Sequence, residues 1–307
     1  MGIIKIILFL ISIGAASVMG YSAIKKSGFQ IPSAPKATST AQKIIRPATT
    51  SKPSISQTPS KSATPTPSYL PNITDVQIPK GFIREQLSPN FKEIKISSIS
   101  YSASLSTPSN IRLNPSFQTK DKFVNISGWK IQTNRQSLII PKIINVYDPS
   151  GLANETDILI GANNFLNIYS NSSAINKNLR LNKCIGYLEN FNKFNPSLSQ
   201  SCPPIYQNKT EIANFAGFCQ TYIMSIGSCK LPDSNYYNNL PGTGEGNACR
   251  EYLNNIGYAN CFQKHRTDSD FLSNEFRAWV NQNIFDPKHD YVLLFDTNGL
   301  LVDEYFY

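Results

Sequence analysis

The sequence predicts a mainly β domain of antiparallel strands, interrupted by a disulfide-stapled helical segment and set behind an export signal and a tether. Three observations carry that prediction. From residue 91 short β-branched and aromatic runs alternate with Asn, Ser, Pro and Gly turns, the texture of antiparallel strands. All six cysteines (Cys184, Cys202, Cys219, Cys229, Cys249 and Cys261) fall in one later stretch of different periodicity. The first eighty or so of the 307 residues lack the composition of a packed core.

Residues 6–24 are nineteen consecutive uncharged, largely apolar residues after Lys5 and before Lys25 and Lys26. That length is close to the ~20 residues that cross a bilayer. We expect residues 1–26 to be a membrane anchor, with a cleaved signal peptide as the rival, because Val18, Met19 and Gly20 resemble a peptidase site. Lysines flank both ends, so charge does not assign orientation.

Residues 27–88 are expected to form a disordered tether. Residues 27–80 are dominated by Ser, Thr, Pro, Ala and Lys, and eight of the twenty prolines lie in 31–71. Such a chain cannot bury enough apolar surface to offset its ordering entropy, and its prolines exclude a helical stalk. A plain coil of ~50 residues reaches about 40 Å.

Residues 1–74 contain eight of the 29 Lys and Arg residues and no Asp or Glu, which leaves 21 basic against 20 acidic residues in the remainder. The net charge of +9 therefore belongs to the arm. A basic arm before a near-neutral domain points to loose attraction toward anionic lipid or wall polymer rather than sequence-specific nucleic-acid binding.

Strands are expected near 93–100, 110–113, 122–132, 137–140, 157–161 and 165–169. In the third of these, apolar positions alternate around Asn125 and Ser127 and slip by one residue at Gly128 before Trp129 and Ile131, which predicts a bulge. Trp129 is read as a core residue between sheets, and Gly128 as a point of close chain approach. The chain closes with an apolar run at 291–295, the turn Asp296-Thr297-Asn298-Gly299, and a second run at 300–307, a hairpin signal in which Asn and Gly tolerate positive φ.

Residues 183–274 are read as a Cys-rich helical insertion within a domain spanning 89–307. Apolar residues at 212, 215, 218, 219, 222, 223 and 226 lie on one face of a helix expected over 211–226 and stopped by Gly227. The string C-x-x-Y-[I/L] recurs at Cys184, Cys219 and Cys249, and on a helix it presents a sulfur, a ring and an aliphatic group on one face. A further helix is expected over 271–282, with Asp270 as its N-cap.

The even cysteine count, the absence of C-x-x-C and a complement of only two histidines favour disulfides over zinc. Disulfides imply an oxidising, extracytoplasmic compartment. Six cysteines allow fifteen connectivities. The repeat favours local pairs, Cys184–Cys202, Cys219–Cys229 and Cys249–Cys261, with a nested Cys219–Cys261 and Cys229–Cys249 arrangement as the alternative.

The motif at 123–131, Phe-Val-Asn-Ile-Ser-Gly-Trp-Lys-Ile, resembles the "nisGW-l" strand of lamin-tail domains. Ile111-Arg112-Leu113-Asn114 is similar to the strand before it, without the usual acidic residue. The ending at 289–307 is similar to the family's final hairpin. The resemblance covers about 91–182 and 279–307. It implies an immunoglobulin-like β-sandwich acting as a non-catalytic interaction or structural module on a secreted protein. The Cys-rich segment departs from the family and would cover or replace any binding surface at that end.

No catalytic constellation is expected. Gly242-Thr243-Gly244-Glu245-Gly246 lacks the preceding strand and following Lys-Ser/Thr of a phosphate loop, so it reads as a turn. Asp268, Asp270 and Glu275 lack the ligand spacing of a calcium loop. The cysteines pair off, no G-x-S-x-G elbow occurs, and His265 and His289 read as structural or surface residues. The Asn-x-Ser/Thr triplets at Asn72, Asn125, Asn154, Asn171 and Asn208 are expected by chance in a chain rich in Asn and Ser.

No cofactor or metal is expected. The leading functional expectation is a membrane-tethered module that engages an envelope polymer or another protein. A secreted nuclease-type hydrolase or its accessory, and a passive envelope protein, are the alternatives.

Overall fold

The computed structural model describes residues 73–307 except Ala103 and Leu105. The expected anchor at 1–26 and the expected tether as far as Asn72 lie outside the described residues. Residues 73–88, expected as the end of the disordered tether, instead hold 3-10 turns at Asp75–Gln77 and Arg84–Gln86 and pack Ile73, Ile78, Phe82 and buried Leu87 in a cluster with Phe91 and Leu301. Among the described residues, no helix is long and apolar enough to cross a membrane.

The described chain is mainly β, with three sheets, three disulfides and four short α-helices. The strands are β1 (Ile94–Ser100), β2 (Asn110–Pro115), β3 (Phe123–Asn125), β4 (Lys130–Gln132), β5 (Ser137–Ile139) and β6 (Leu159–Gly161). They continue with β7 (Phe165–Tyr169), β8 (Leu179–Asn182), β9 (Leu272–Trp279), β10 (Tyr291–Phe295) and β11 (Leu301–Phe306). One sheet runs β1-β2-β7-β9-β8, a second β11-β10-β4-β5, and β3 pairs with β6. Every pairing is antiparallel except β7 with β9.

All three sheets contribute to one apolar core. Ile94, Ile111, Leu166 and Phe276 come from the first, Ile131, Leu138, Leu294 and Val302 from the second, and Val124 and Ile160 from the third. Trp129, 3 % exposed, packs in the same cluster. The segment expected as one strand over 122–132 is two strands in different sheets. Gly128 adopts φ +80° between them, so the slip in the pattern marks a change of sheet rather than a bulge within one ladder.

The closing hairpin returns to pair with β4, 161 residues upstream at Leu293 opposite Gln132. Its turn is organised by Asp296, whose Oδ1 accepts from the amides of Asn298 (2.9 Å) and Leu300 (3.0 Å). Only Gly299 takes positive φ there, at +76°; Asn298 does not. The outer side of β11 is covered rather than left open. The amides of Ser88 and Lys92 donate to Leu301 and Val302 at 2.8 Å, and buried Asp303 accepts from Ile96 N and Lys92 Nζ at 2.7 Å each.

The helix expected over 271–282 is instead strand β9, and Asp270 caps no helix. The second half of β9 is buried on both faces. Phe276 and Ala278 enter the shared core, while Trp279 joins a second cluster on the opposite face with Tyr169, Leu179, Leu181 and Leu188. A strand covered on both faces loses alternation, and its spacing then imitates a helix. Arg277, 9 % exposed, stays inside because Nε donates to Glu275 (2.6 Å) and Nη1 to the carbonyls of Pro196 (3.2 Å) and Ser197 (2.9 Å).

The Cys-rich part has a core of its own, centred on Tyr187, Ile212, Ile223, Leu253 and Phe262. Its helices are α1 (Gly217–Ser225), α2 (Ser234–Asn238), α3 (Gly244–Asn254) and α4 (Tyr258–His265). The helix expected over 211–226 is a 3-10 turn at Lys209–Ile212 followed, after a break, by α1.

The disulfides are Cys184–Cys261, Cys202–Cys229 and Cys219–Cys249. Neither the local nor the nested pairing is present. Cys219 and Cys249 both face the common interior from packed helices α1 and α3, so sulfurs of two repeat units meet each other rather than the next cysteine along the chain. Cys229, at φ +57°, turns back to meet Cys202.

Candidate binding groove

The site that emerges lies where the β8 edge of the five-stranded sheet meets the stapled helices. That edge is occupied by the preceding chain: Ile144 N donates to Asn178 O (2.8 Å) and Arg180 N to Ile144 O (2.9 Å). The strand-like path ends there, and Tyr147 and Pro149 form one wall of a surface groove of ≈ 500 Å³, while Asp148 between them is outside the lining, its Oδ1 accepting from Ser150 N (2.8 Å) and Ser150 Oγ (2.6 Å). Leu188 and Phe191, from the 3-10 turn Ile185–Asn190 and its C-cap, form a second wall. The third wall is 254–260, the last residue of α3, the connection that follows and the first turn of α4.

Disulfide Cys184–Cys261 closes this arrangement covalently, joining the residue before the second wall's 3-10 turn to α4, whose first turn belongs to the third wall. Buried Asn182 supports it with two bonds. Its Oδ1 accepts from Cys184 N (2.9 Å), and its Nδ2 donates to the Tyr258 hydroxyl (3.0 Å). That hydroxyl donates onward to Tyr147 O (2.6 Å), and the two tyrosine rings lie 5.6 Å apart. Burial pushes the Tyr258 hydroxyl well above the usual phenol range, so it stays neutral and bonded.

None of the residues lining this groove is Asp, Glu, Lys, Arg or His. Phe191 is 76 % exposed at its rim. The side-chain amides of Asn254 and Asn260, both lining residues, make no hydrogen bond among the described residues, whereas Asn255 Nδ2 donates to Glu251 O (3.0 Å). A groove of this kind offers apolar faces and neutral donors and acceptors, and it holds no group able to act as a general acid or base near neutral pH.

A shallower surface at Lys80, Lys92, Tyr291, Glu304 and Phe306 is less available. The Tyr291 hydroxyl is bonded to Glu304, and Lys92 is committed to Asp303.

The residues singled out in the sequence fall elsewhere. Gly128 faces the final turn, where an added Cβ would stand 3.3 Å from Thr297 Cγ2. Asp268 and Asp270 converge on an internal cation: Lys183 Nζ reaches Asp268 at 3.0 Å and Asp270 at 2.5 Å, and His265 Nδ1 lies 2.9 Å from Asp268. Glu275 is separate, bound to Arg277 and Asn167. Thr243 caps α3, its Oγ1 accepting from Gly246 N at 3.2 Å.

His289 is exposed, and its carbonyl accepts from Asn134 Nδ2. Neighbouring Asp290 is fully buried and accepts from the amides of Asn134 and Asp286 at 2.8 Å each. Asn125 Nδ2 donates to Asp157, and Asn208 Oδ1 caps the turn at Lys209–Ile212. Asn171 Nδ2 donates to Asn195 O (2.8 Å), whereas Asn154 lies exposed in a loop.

None of the groove residues was among these. The signal was present in two forms: an uncharged run, Asn254-Asn255-Ile256-Gly257-Tyr258-Ala259-Asn260, held between two cysteines, and the isolated aromatic Phe191. No family model, curated protein or solved structure matches the chain.

Proposed function

We propose that the protein is an extracytoplasmic, membrane-tethered interaction module that acts without catalysis and engages an envelope polymer or protein through the groove between 147–149, 188–191 and 254–260. The observation that carries this reading is the uncharged lining with an exposed aromatic rim, on walls tied together by a disulfide. Preformed, covalently braced walls lower the ordering cost of binding. The three disulfides support an oxidising compartment, and the apolar segment at 6–24 supports export and anchoring. The lamin-tail resemblance at 111–114, 123–131 and 289–307 supports an immunoglobulin-like sandwich as the scaffold. The shared core under the β4–β10–β11 ladder is consistent with it.

Photo-crosslinking tests the proposal. A photoreactive phenylalanine analogue at Phe191 in the full chain, displayed in its own envelope, should give adducts. The same analogue at Phe123, 60 % exposed on β3 and outside the groove, should not. Equal labelling from the two positions, or none from 191, would contradict the groove's role.

A further inference from the structure

We infer that the groove's ligand is an uncharged polysaccharide, stacked against Phe191 and hydrogen-bonded by Asn254 and Asn260. The inference rests on the groove being the binding surface and names the chemistry of what it binds. Charge argues first. The lining holds no ionisable acid or base except tyrosine, and the one carboxylate beside it, Asp148, accepts from Ser150, so an anionic polymer or a nucleic acid strand would lose hydration without gaining a counter-charge. A neutral ligand carries no such penalty.

The polar groups argue next. A free carboxamide supplies two donors and an acceptor, and a sugar hydroxyl both donates and accepts. Asn254 and Asn260 are amides of this kind, without side-chain partners among the described residues. Phe191 supplies the apolar complement, because the electron-rich face of its ring attracts the polarised C–H bonds on one side of a pyranose. A neutral peptide could use the same amides, but an extended peptide gains most of its affinity by adding to an unpaired strand edge. None of the groove walls is a strand, and the nearest edge, β8, is already occupied by Ile144. The groove's ≈ 500 Å³ lies within the size range of small-ligand sites, enough to hold a short stretch of a longer polymer.

The test is retention of the oxidised full chain, in detergent, on insoluble chitin, cellulose and starch and on anionic alginate, at low and high sodium chloride. Phe191→Ala and the double variant Asn254→Ala/Asn260→Ala run alongside. Both alter exposed or unbonded side chains, so melting curves should match the parent. Retention on at least one neutral glycan is expected, insensitive to salt and roughly fivefold weaker in each variant. Retention on alginate alone, neutral-glycan retention unchanged in both variants, or no retention on any of the glycans would overturn the inference. Protein adducts at position 191 without glycan retention would leave the groove's role standing and remove the polysaccharide.

Discussion

Gly186 is a tightly packed point beside the Cys202–Cys229 disulfide, and replacing it with alanine should destabilise the domain measurably. A Cβ built there would stand 2.3 Å from Ser199 O and 2.4 Å from Cys229 Sγ, both well inside contact distance. Neither neighbour is free to yield. Cys229 is bonded to Cys202, whose amide lies 3.1 Å from Cys229 Sγ, and Ser199 O is a backbone atom next to buried Leu198. Relief requires shifting the backbone of one segment against the other by about 1 Å, and overpacking of this kind typically costs about 1–3 kcal/mol. For a domain of this size that corresponds to a fall in Tm of roughly 2–12 °C.

Gly217→Ala is the matched control. Nothing lies within 4 Å of its added Cβ, and the position is the first of α1, so alanine should be neutral or stabilising by up to about 1 kcal/mol. Calorimetry on oxidised protein reads both shifts, and non-reducing peptide mapping reports whether Cys202–Cys229 still forms. A Gly186→Ala protein that melts at or above the parent temperature with that disulfide intact would refute the packing argument.

Two other perturbations follow from the buried polar groups. Arg277→Ala removes the donor shared by Glu275 and the carbonyls of Pro196 and Ser197, and should cost about 3 kcal/mol in urea unfolding; a loss below about 1 kcal/mol would contradict the role given to this side chain. Asp268 is held below the usual carboxylate range by His265 and then Lys183, and Asp270 by Lys183 first. A depressed folded value stabilises above the unfolded value near 3.9, and this support is lost as pH falls through the folded value. Lys183 is raised chiefly by Asp270, so its share is present below about 10.4 and lost as pH rises beyond. Lys183→Met should therefore flatten the dependence of Tm on pH between pH 3 and 5, and identical acid slopes in the two proteins would remove the cluster from the account.

What could be read from the chain, and what could not, divides along physical lines. Strands β1, β2 and β7 lie close to where alternation placed them, because β1 and β2 bury one face in the shared core. Strand β9 was legible only as a helix, since burial on both faces and the Arg277–Glu275 pair erased its period. Strand β8 buries three of its four residues, so it shows little alternation and was not read as a strand. The C-x-x-Y-[I/L] units correctly placed Cys219 and Cys249 with Ile223 and Leu253 facing inward. Local loop closure gave no means of seeing that two such helices would turn their sulfurs toward each other, because that depends on tertiary packing. The groove was invisible for a related reason. Its walls come from residues about forty and seventy positions apart, and only the fold and the Cys184–Cys261 disulfide bring them together.

Hydrogen–deuterium exchange of the oxidised full chain, with and without an envelope fraction enriched in its partner, tests the central claim most directly. The groove account predicts slowed exchange in peptides covering 147–149, 188–191 and 254–260, with the hairpin at 291–306 unchanged. Protection centred on that hairpin, or no protection at the three groove segments under conditions where binding is measured independently, would contradict it.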